Sequence, residues 1–137
     1  MIFINFLGIC TRQVPVYFEG DRENPTFILV ESVAIVMYLL EKYDTQYKLL
    51  IPPTDIQKRA KMFQFMHYAS STLYPLNADA HLQDNAAVME KCVKQFKNEV
   101  VPFLTRELGD KQYLLGDQYT VADLLISYDL AGLRVRS

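Results

Sequence analysis

Features typical of β-strands occur near the start of the sequence, and they are too few to form a stable domain alone. Residues 14–18 are β-branched and aromatic, and residues 26–30 form a continuous apolar run after a polar, turn-rich loop. An apolar helix is predicted from residue 32 to residue 43, with the Ser32 hydroxyl as its N-cap. A two-stranded hairpin with one helix is not independently stable in water. The pattern therefore predicts an incomplete unit that needs partner strands, of which residues 1–7 offer at most one.

The next segment predicts a linker that leads into an all-helical region. Pro52 and Pro53 exclude a helix within residues 44–54, which divides the chain into 1–43, a linker 44–54, and 55–137. The apolar residues of this linker are expected to hold it against the protein surface.

Three helices are predicted after the linker. The first begins in a capping box at Thr54 and ends or bends at Pro75. The second covers residues 86–108, contains Pro102, and stops at a glycine. The third follows a second capping box, which starts at Thr120 and places an aspartate three residues later. We interpret this box as a folding element and not as a catalytic pair.

Composition excludes several classes of function. The chain has 137 residues, 22% of them charged, and a formal net charge of -2, without the basic stripe that nucleic-acid binding needs. Its apolar segments are too short to cross a bilayer. The two cysteines and two histidines lack the spacing of a metal site or a disulfide framework. We therefore expect a cytoplasmic protein with no metal, no nucleic-acid partner and no membrane association.

The order of several short motifs resembles the cytosolic glutathione S-transferase family. The motifs are Val14-Pro15 on a strand, Glu31-Ser32 at a helix start followed by Ala34-Ile35 and Tyr38-Leu39, and the block YLLGDQYTVAD at residues 113–123. Each motif is weak alone, and their common order and spacing carry the resemblance, with features of the theta, delta and epsilon classes. The fold implied is α+β and mostly helical, with a partial thioredoxin-like β-β-α unit followed by an all-α C-terminal domain.

The resemblance also implies a ligand site. In the family, glutathione pairs with the backbone before a cis-proline and with an acidic residue and a serine at a helix start. Carried over to this sequence, the glutathione-binding residues are Gln13, Val14, Pro15, Glu31 and Ser32, with a cis bond between Val14 and Pro15. Glu31 is expected to meet the glutathione ammonium, and Ser32 its γ-glutamyl carboxylate.

The function implied is conjugation of glutathione to a hydrophobic small molecule by a homodimer. Tyr68 and Tyr74 are candidates for lining the hydrophobic site, with core packing as the alternative. A non-catalytic protein-interaction module of the translation-factor or synthetase-complex type remains open, as does an inactive fragment. Retention on immobilised glutathione favours a glutathione-binding protein, whereas a stable complex with another protein, without that retention, favours the interaction module.

The residue that activates the glutathione sulfur is not identified, because only 13 residues precede Val14. The family places a tyrosine, serine or cysteine for this task well before the Val-Pro step. The chain is accordingly expected to be truncated at both ends. We predict that these 137 residues alone show little or no transferase activity. Measurable conjugation of a chlorodinitrobenzene-type substrate by the pure chain would contradict this prediction.

Overall fold

The computed structural model describes residues 14–82 and 85–132, with the backbone alone for residues 79–82. Chain contacts divide the protein between Thr45 and Gln46 into two compact units, here called the N-terminal unit and the helical unit. Each unit is described by itself. The described residues form a mostly helical α+β protein, as the sequence predicts.

The N-terminal unit is a β-hairpin followed by a helix. Strands β1 (Val16–Gly20) and β2 (Pro25–Val30) pair antiparallel, and Val16 lies opposite Val30. The turn between them is stabilised by the Asp21 carboxylate, which accepts a hydrogen bond of 2.7 Å from the backbone N–H of Glu23. Helix α1 (Ser32–Tyr43) follows directly.

Two predicted N-caps are wrong by one residue. Helix α1 begins at Ser32 with Glu31 at the cap position, so the serine hydroxyl stands inside the first turn, too late to cap it. The next helix is capped by Asp55, and not by Thr54. The Asp55 carboxylate accepts a hydrogen bond of 3.1 Å from the backbone N–H of Lys58. Aspartate at this position satisfies a free N–H as well as threonine would.

The helical unit contains five α-helices and two π-helical turns in its described part. They are α2 (Ile56–Tyr68), a first π turn (Ala69–Leu73), α3 (Tyr74–Leu82), α4 (Ala86–Gln95), a second π turn (Phe96–Val100), α5 (Val101–Leu108) and α6 (Val121–Gly132). The sequence predicts that the first long helix ends or bends at Pro75. The helix is disturbed by a π turn just before this proline, but the helical path does not end there and continues as α3.

Each π turn ends two residues before a proline. The backbone N–H of Tyr74 donates to the Ala69 carbonyl, and that of Val101 donates to the Phe96 carbonyl, in both cases five residues back. Pro75 and Pro102 come next in the chain. Proline lacks an N–H and its ring collides with the carbonyl four residues earlier, so a widened turn lets the helix pass it. The predicted disturbance at Pro102 takes this form.

The segment before α2 is packed onto the helical unit. Leu50 and Ile51 are 0% and 1% exposed. The backbone N–H of Val121 donates to the Leu49 carbonyl at 3.0 Å, and the Gln118 amide donates to the Tyr47 carbonyl at 2.7 Å. The structure thus shows the surface attachment that the apolar residues of this segment predict.

The second capping box has the form that the sequence predicts. The Asp123 carboxylate accepts hydrogen bonds from the Thr120 backbone N–H at 2.9 Å and from the Thr120 hydroxyl at 3.0 Å. Its other oxygen accepts from the backbone N–H of Leu114 at 2.8 Å. Thr120 is completely buried. One carboxylate therefore caps α6 and fixes the loop before it.

Replacing this carboxylate should destabilise the helical unit. We expect Asp123→Ala to lower the free energy of unfolding by about 2–4 kcal/mol, because it removes a cap and leaves buried donors without an acceptor. The free energy of unfolding of Asp123→Asn should lie between those of Asp123→Ala and the unchanged chain, because the asparagine carbonyl keeps part of the acceptor capacity. Urea unfolding followed by far-UV circular dichroism measures both. Asp117→Ala, at an exposed site in the same loop, is the control, and an equal loss there would contradict the prediction.

Candidate functional site

The strand register brings the predicted glutathione-binding residues to one end of the hairpin. Since Val16 pairs with Val30, the Val14-Pro15 step and the Glu31-Ser32 step both lie at the end opposite the turn. The Val14–Pro15 peptide bond is cis, as predicted. Gln13 lies outside the described residues. Four of the five predicted residues therefore lie at the same end of the hairpin, opposite its turn.

Glu31 has an unusual backbone conformation. Its φ is 72° and its ψ is 116°, in a region that residues with a side chain rarely adopt. Such strained positions cluster at ligand-binding sites, where the surrounding structure holds them in place. The Glu31 carbonyl still accepts the first helical hydrogen bond, from the Ile35 N–H at 2.9 Å. The strain thus lies at the junction between β2 and α1.

This junction presents polar groups outward. Glu31 and Ser32 are both exposed, and no side chain forms a capping hydrogen bond at the start of α1. The first N–H groups of a helix carry partial positive charge and attract anions. The exposed Glu31 carboxylate beside the start of α1 can form an ion pair with a cationic group of a ligand. The junction is therefore suited to a ligand that carries both an ammonium and a carboxylate.

Val14 supplies a different kind of contact. Its side chain is 76% exposed, and the residue precedes the first ladder pair of β1. Its backbone groups can therefore pair with an extended peptide in the manner of an added strand.

A polar cluster ties the strand to the helix within the N-terminal unit. Glu19 on β1 accepts hydrogen bonds from the Tyr17 hydroxyl at 2.9 Å and from the Tyr38 hydroxyl at 2.7 Å. The Lys42 ammonium on α1 forms an ion pair with the same carboxylate oxygen. The Tyr38 ring also lies 5.0 Å from the Phe27 ring, centre to centre. This cluster holds α1 against the hairpin that carries the candidate site.

The ionisation of the cluster follows from these contacts. The hydrogen bond from Lys42, helped by those from the two tyrosines, lowers the pKa of Glu19 to about 2. The hydrogen bond to the Glu19 carboxylate raises the pKa values of Tyr17 and Tyr38. This cluster was not predicted from the sequence. The spacing of Tyr38 and Lys42 by one helical turn signals a common face, but the opposing strand residue becomes apparent only with the register.

The two tyrosines considered for a hydrophobic site have different surroundings. Tyr68 is half-buried and its ring centre lies 4.6 Å from that of Phe103, so it packs between helices. Tyr74 is 61% exposed. The structure does not bring these two side chains together in one described cavity. Tyr68 thus contributes to packing between α2 and α5.

Across residues 14–82 and 85–132, no group of three or more histidine, cysteine, aspartate or glutamate side chains could hold a metal ion. Within the same residues, no helix has the length and apolar character needed to cross a membrane.

The hairpin followed by a helical unit defines the class of protein to which this chain belongs. A family model described as "Glutathione S-transferase, C-terminal domain" matches residues 57–133, which is more than half of the chain. The chain therefore belongs to the glutathione S-transferase family, as the motifs predict.

Curated relatives agree with this assignment. Glutathione S-transferase 2 of Schizosaccharomyces pombe is 30% identical over 121 residues, which cover 82% of this chain and 52% of the relative. Glutathione S-transferase theta-1 of Gallus gallus is 29% identical over 137 residues, covering 87% of this chain and 47% of the relative. The chain thus spans about half the length of the curated relatives it matches.

Solved structures show the same fold. Ure2p5 from Phanerochaete chrysosporium, cocrystallized with 1-(S-glutathionyl)-2,4-dinitrobenzene, matches with a TM-score of 0.74 and 23% identity. The match covers 88% of this chain and 56% of that protein. At this identity the likeness establishes the fold alone, and it agrees with the predicted combination of a partial thioredoxin-like unit and a helical domain.

The Glu19 cluster should make the N-terminal unit sensitive to acid. Because the folded-state pKa of Glu19 is lowered from 4.5 to about 2, its contribution to stability is present above pH 4.5 and is lost as the pH falls through 2. Nuclear magnetic resonance of labelled tyrosines, recorded during thermal unfolding, reports on Tyr17 and Tyr38 directly.

We expect the melting temperature at these two rings to fall between pH 4.5 and pH 2, and Glu19→Gln to reduce that fall. Glu23→Gln, in the exposed turn, is the matched control. The prediction is wrong if the unchanged chain shows no fall, or if both variants behave alike.

Proposed function

We propose that this protein binds glutathione at the open end of its hairpin and belongs to a transferase that conjugates glutathione to hydrophobic electrophiles. The observation that carries the proposal is the register that puts the cis Val14–Pro15 bond beside Glu31 and Ser32. Family membership supports it, because the relatives named above are glutathione S-transferases.

Glutathione has the chemical groups that the open end of the hairpin can recognise. It is a short peptide, so its backbone can pair with the exposed groups of Val14 as an added strand. Its γ-glutamyl end carries an ammonium, which Glu31 would meet, and a carboxylate, which the start of α1 would hold with the Ser32 hydroxyl. The strained backbone of Glu31 supports this assignment, since strained positions cluster at ligand-binding sites.

The chemistry beyond binding is likewise a proposal. Ure2p5 was crystallised with a glutathionyl dinitrobenzene, the product of joining glutathione to an apolar aromatic compound. By this likeness we propose a hydrophobic small molecule as the second substrate. As the family resemblance implies, we further propose a cytoplasmic homodimer as the working form. The residue that activates the sulfur has no assignment in the described chain.

Substitutions at the junction test the binding proposal. We expect Glu31→Ala to weaken glutathione binding about tenfold or more, because a charge-assisted hydrogen bond is lost. Ser32→Ala should weaken binding to a smaller extent. Isothermal titration of the purified chain with reduced glutathione measures both effects, and retention on immobilised glutathione gives a second readout.

Glu23→Ala is the matched control, because this glutamate lies in the turn at the other end of the same hairpin. It should bind glutathione as the unchanged chain does. The assignment of the site is wrong if Glu23→Ala and Glu31→Ala lose affinity equally. Failure of the unchanged chain to bind glutathione would refute the binding proposal itself. A stable complex with another protein, without that binding, would then favour the interaction-module alternative.

A further inference from the structure

The proposed glutathione site is shared by two elements of the N-terminal unit that are not consecutive in the chain. Val14 lies just before β1, whereas Glu31 and Ser32 stand at the start of α1. Strand β2 separates these two elements in the sequence. A ligand that pairs with the Val14 backbone and also reaches the first turn of α1 therefore depends on how α1 is placed relative to β1.

Glu19 links these two elements directly. Its Oε1 atom accepts a hydrogen bond of 2.7 Å from the Tyr38 hydroxyl and pairs with the Lys42 ammonium, and both of these donors belong to α1. The Tyr17 hydroxyl on β1 donates to the same oxygen at 2.9 Å. Three donors that share one charged acceptor constrain its geometry more than an isolated surface ion pair does.

Apolar packing holds α1 less firmly. Among the described residues of the N-terminal unit, Ile35 is the only buried apolar side chain. The Tyr38 ring adds contacts, since its centre lies 5.6 Å from that of Tyr17 and 5.0 Å from that of Phe27. A close-packed core resists displacement of a helix, and few buried side chains provide such resistance here. The polar contacts of Glu19 therefore contribute a large share of the orientation of α1.

The Glu19 cluster and the proposed site lie toward opposite ends of the same elements. Glu19 pairs with Phe27 near the turn of the hairpin, whereas the site is at the open end. Lys42 is in the last turn of α1, and Ser32 is its first residue. A helix of 12 residues is about 18 Å long and stiff. Fixing its later turns against β1 therefore sets the direction of its first N–H groups.

We infer that Glu19 is a positioning residue for glutathione, which fixes α1 relative to β1 so that one ligand contacts Val14 and the start of α1 at the same time. Glu19 acts through α1 and not by contact with the ligand. The inference rests on the glutathione binding proposed above, and it adds a residue that lies outside the binding site itself.

Isosteric variants of the purified 137-residue chain test this role at pH 7. Glu19→Gln should weaken glutathione binding about threefold to tenfold in isothermal titration, because the ion pair is lost and an amide oxygen is a weaker acceptor. Glu23→Gln makes the same charge change in the exposed turn and should bind as the unchanged chain does. Nuclear magnetic resonance spectra check that the hairpin and α1 remain folded in both variants. Unchanged affinity of Glu19→Gln would overturn the inference, as would an equal loss in Glu23→Gln.

A double-variant cycle separates positioning from a general loss of stability. If Glu19→Gln only reduces the folded population, it lowers the apparent affinity by the same factor whether or not the Ser32 hydroxyl is present. If Glu19 positions α1, the loss caused by Ser32→Ala should be smaller in the Glu19→Gln background, by about twofold or more. Equal losses from Ser32→Ala in the two backgrounds would overturn the inference.

Failure of the inference and failure of the proposed function give different results. If the unchanged chain does not bind glutathione, the proposed function is wrong and the positioning role is wrong with it. If the unchanged chain binds glutathione and Glu19→Gln binds it equally well, the positioning role alone is wrong.

Discussion

The hydrogen bonds of the Asp123 carboxylate organise much of the helical unit. One oxygen caps α6 through Thr120, and the other fixes the loop at Leu114. The backbone N–H of Val121, the residue after Thr120, donates to the Leu49 carbonyl, and the adjacent Leu50 and Ile51 lie in the core. The half-buried Asp123 carboxylate thus stabilises more than the helix it caps, because its three hydrogen bonds come from two separate parts of the chain.

The same loop contains a tight turn. Tyr113 and Gly116 exchange two backbone hydrogen bonds of 2.8 and 3.0 Å, which close a tight turn. Gly116 has a φ of 114°, a conformation that strongly favours glycine. The loop that Asp123 fixes therefore depends on a glycine at this turn.

The sequence predicted the kinds of elements and their order well, because hydrophobic periodicity and turn residues act locally. Helix stops such as Gly109, whose N–H donates to the Thr105 carbonyl at 2.9 Å, follow from the residue itself. The path of the chain at Pro75 was harder, since a proline can end a helix or be passed by a π turn. Packing decides between these outcomes: Ala69 and Leu73, at the two ends of the π turn, are 2% and 0% exposed. The cluster around Glu19 depends on strand register, which single residues do not specify.

The start of α1 departs from the local rules of helix formation, and the candidate glutathione site lies there. At α1, Glu31 occupies a strained conformation and forms no side-chain cap. At α2, by contrast, the Asp55 carboxylate caps the helix. Other helix starts follow the rules: Asn85 caps α4 with hydrogen bonds to two N–H groups, and Asp123 completes the box at α6. In a sequence that otherwise agrees with its fold, positions that forgo local stability are the ones expected to serve ligands. This contrast supports placing the candidate glutathione site at the start of α1.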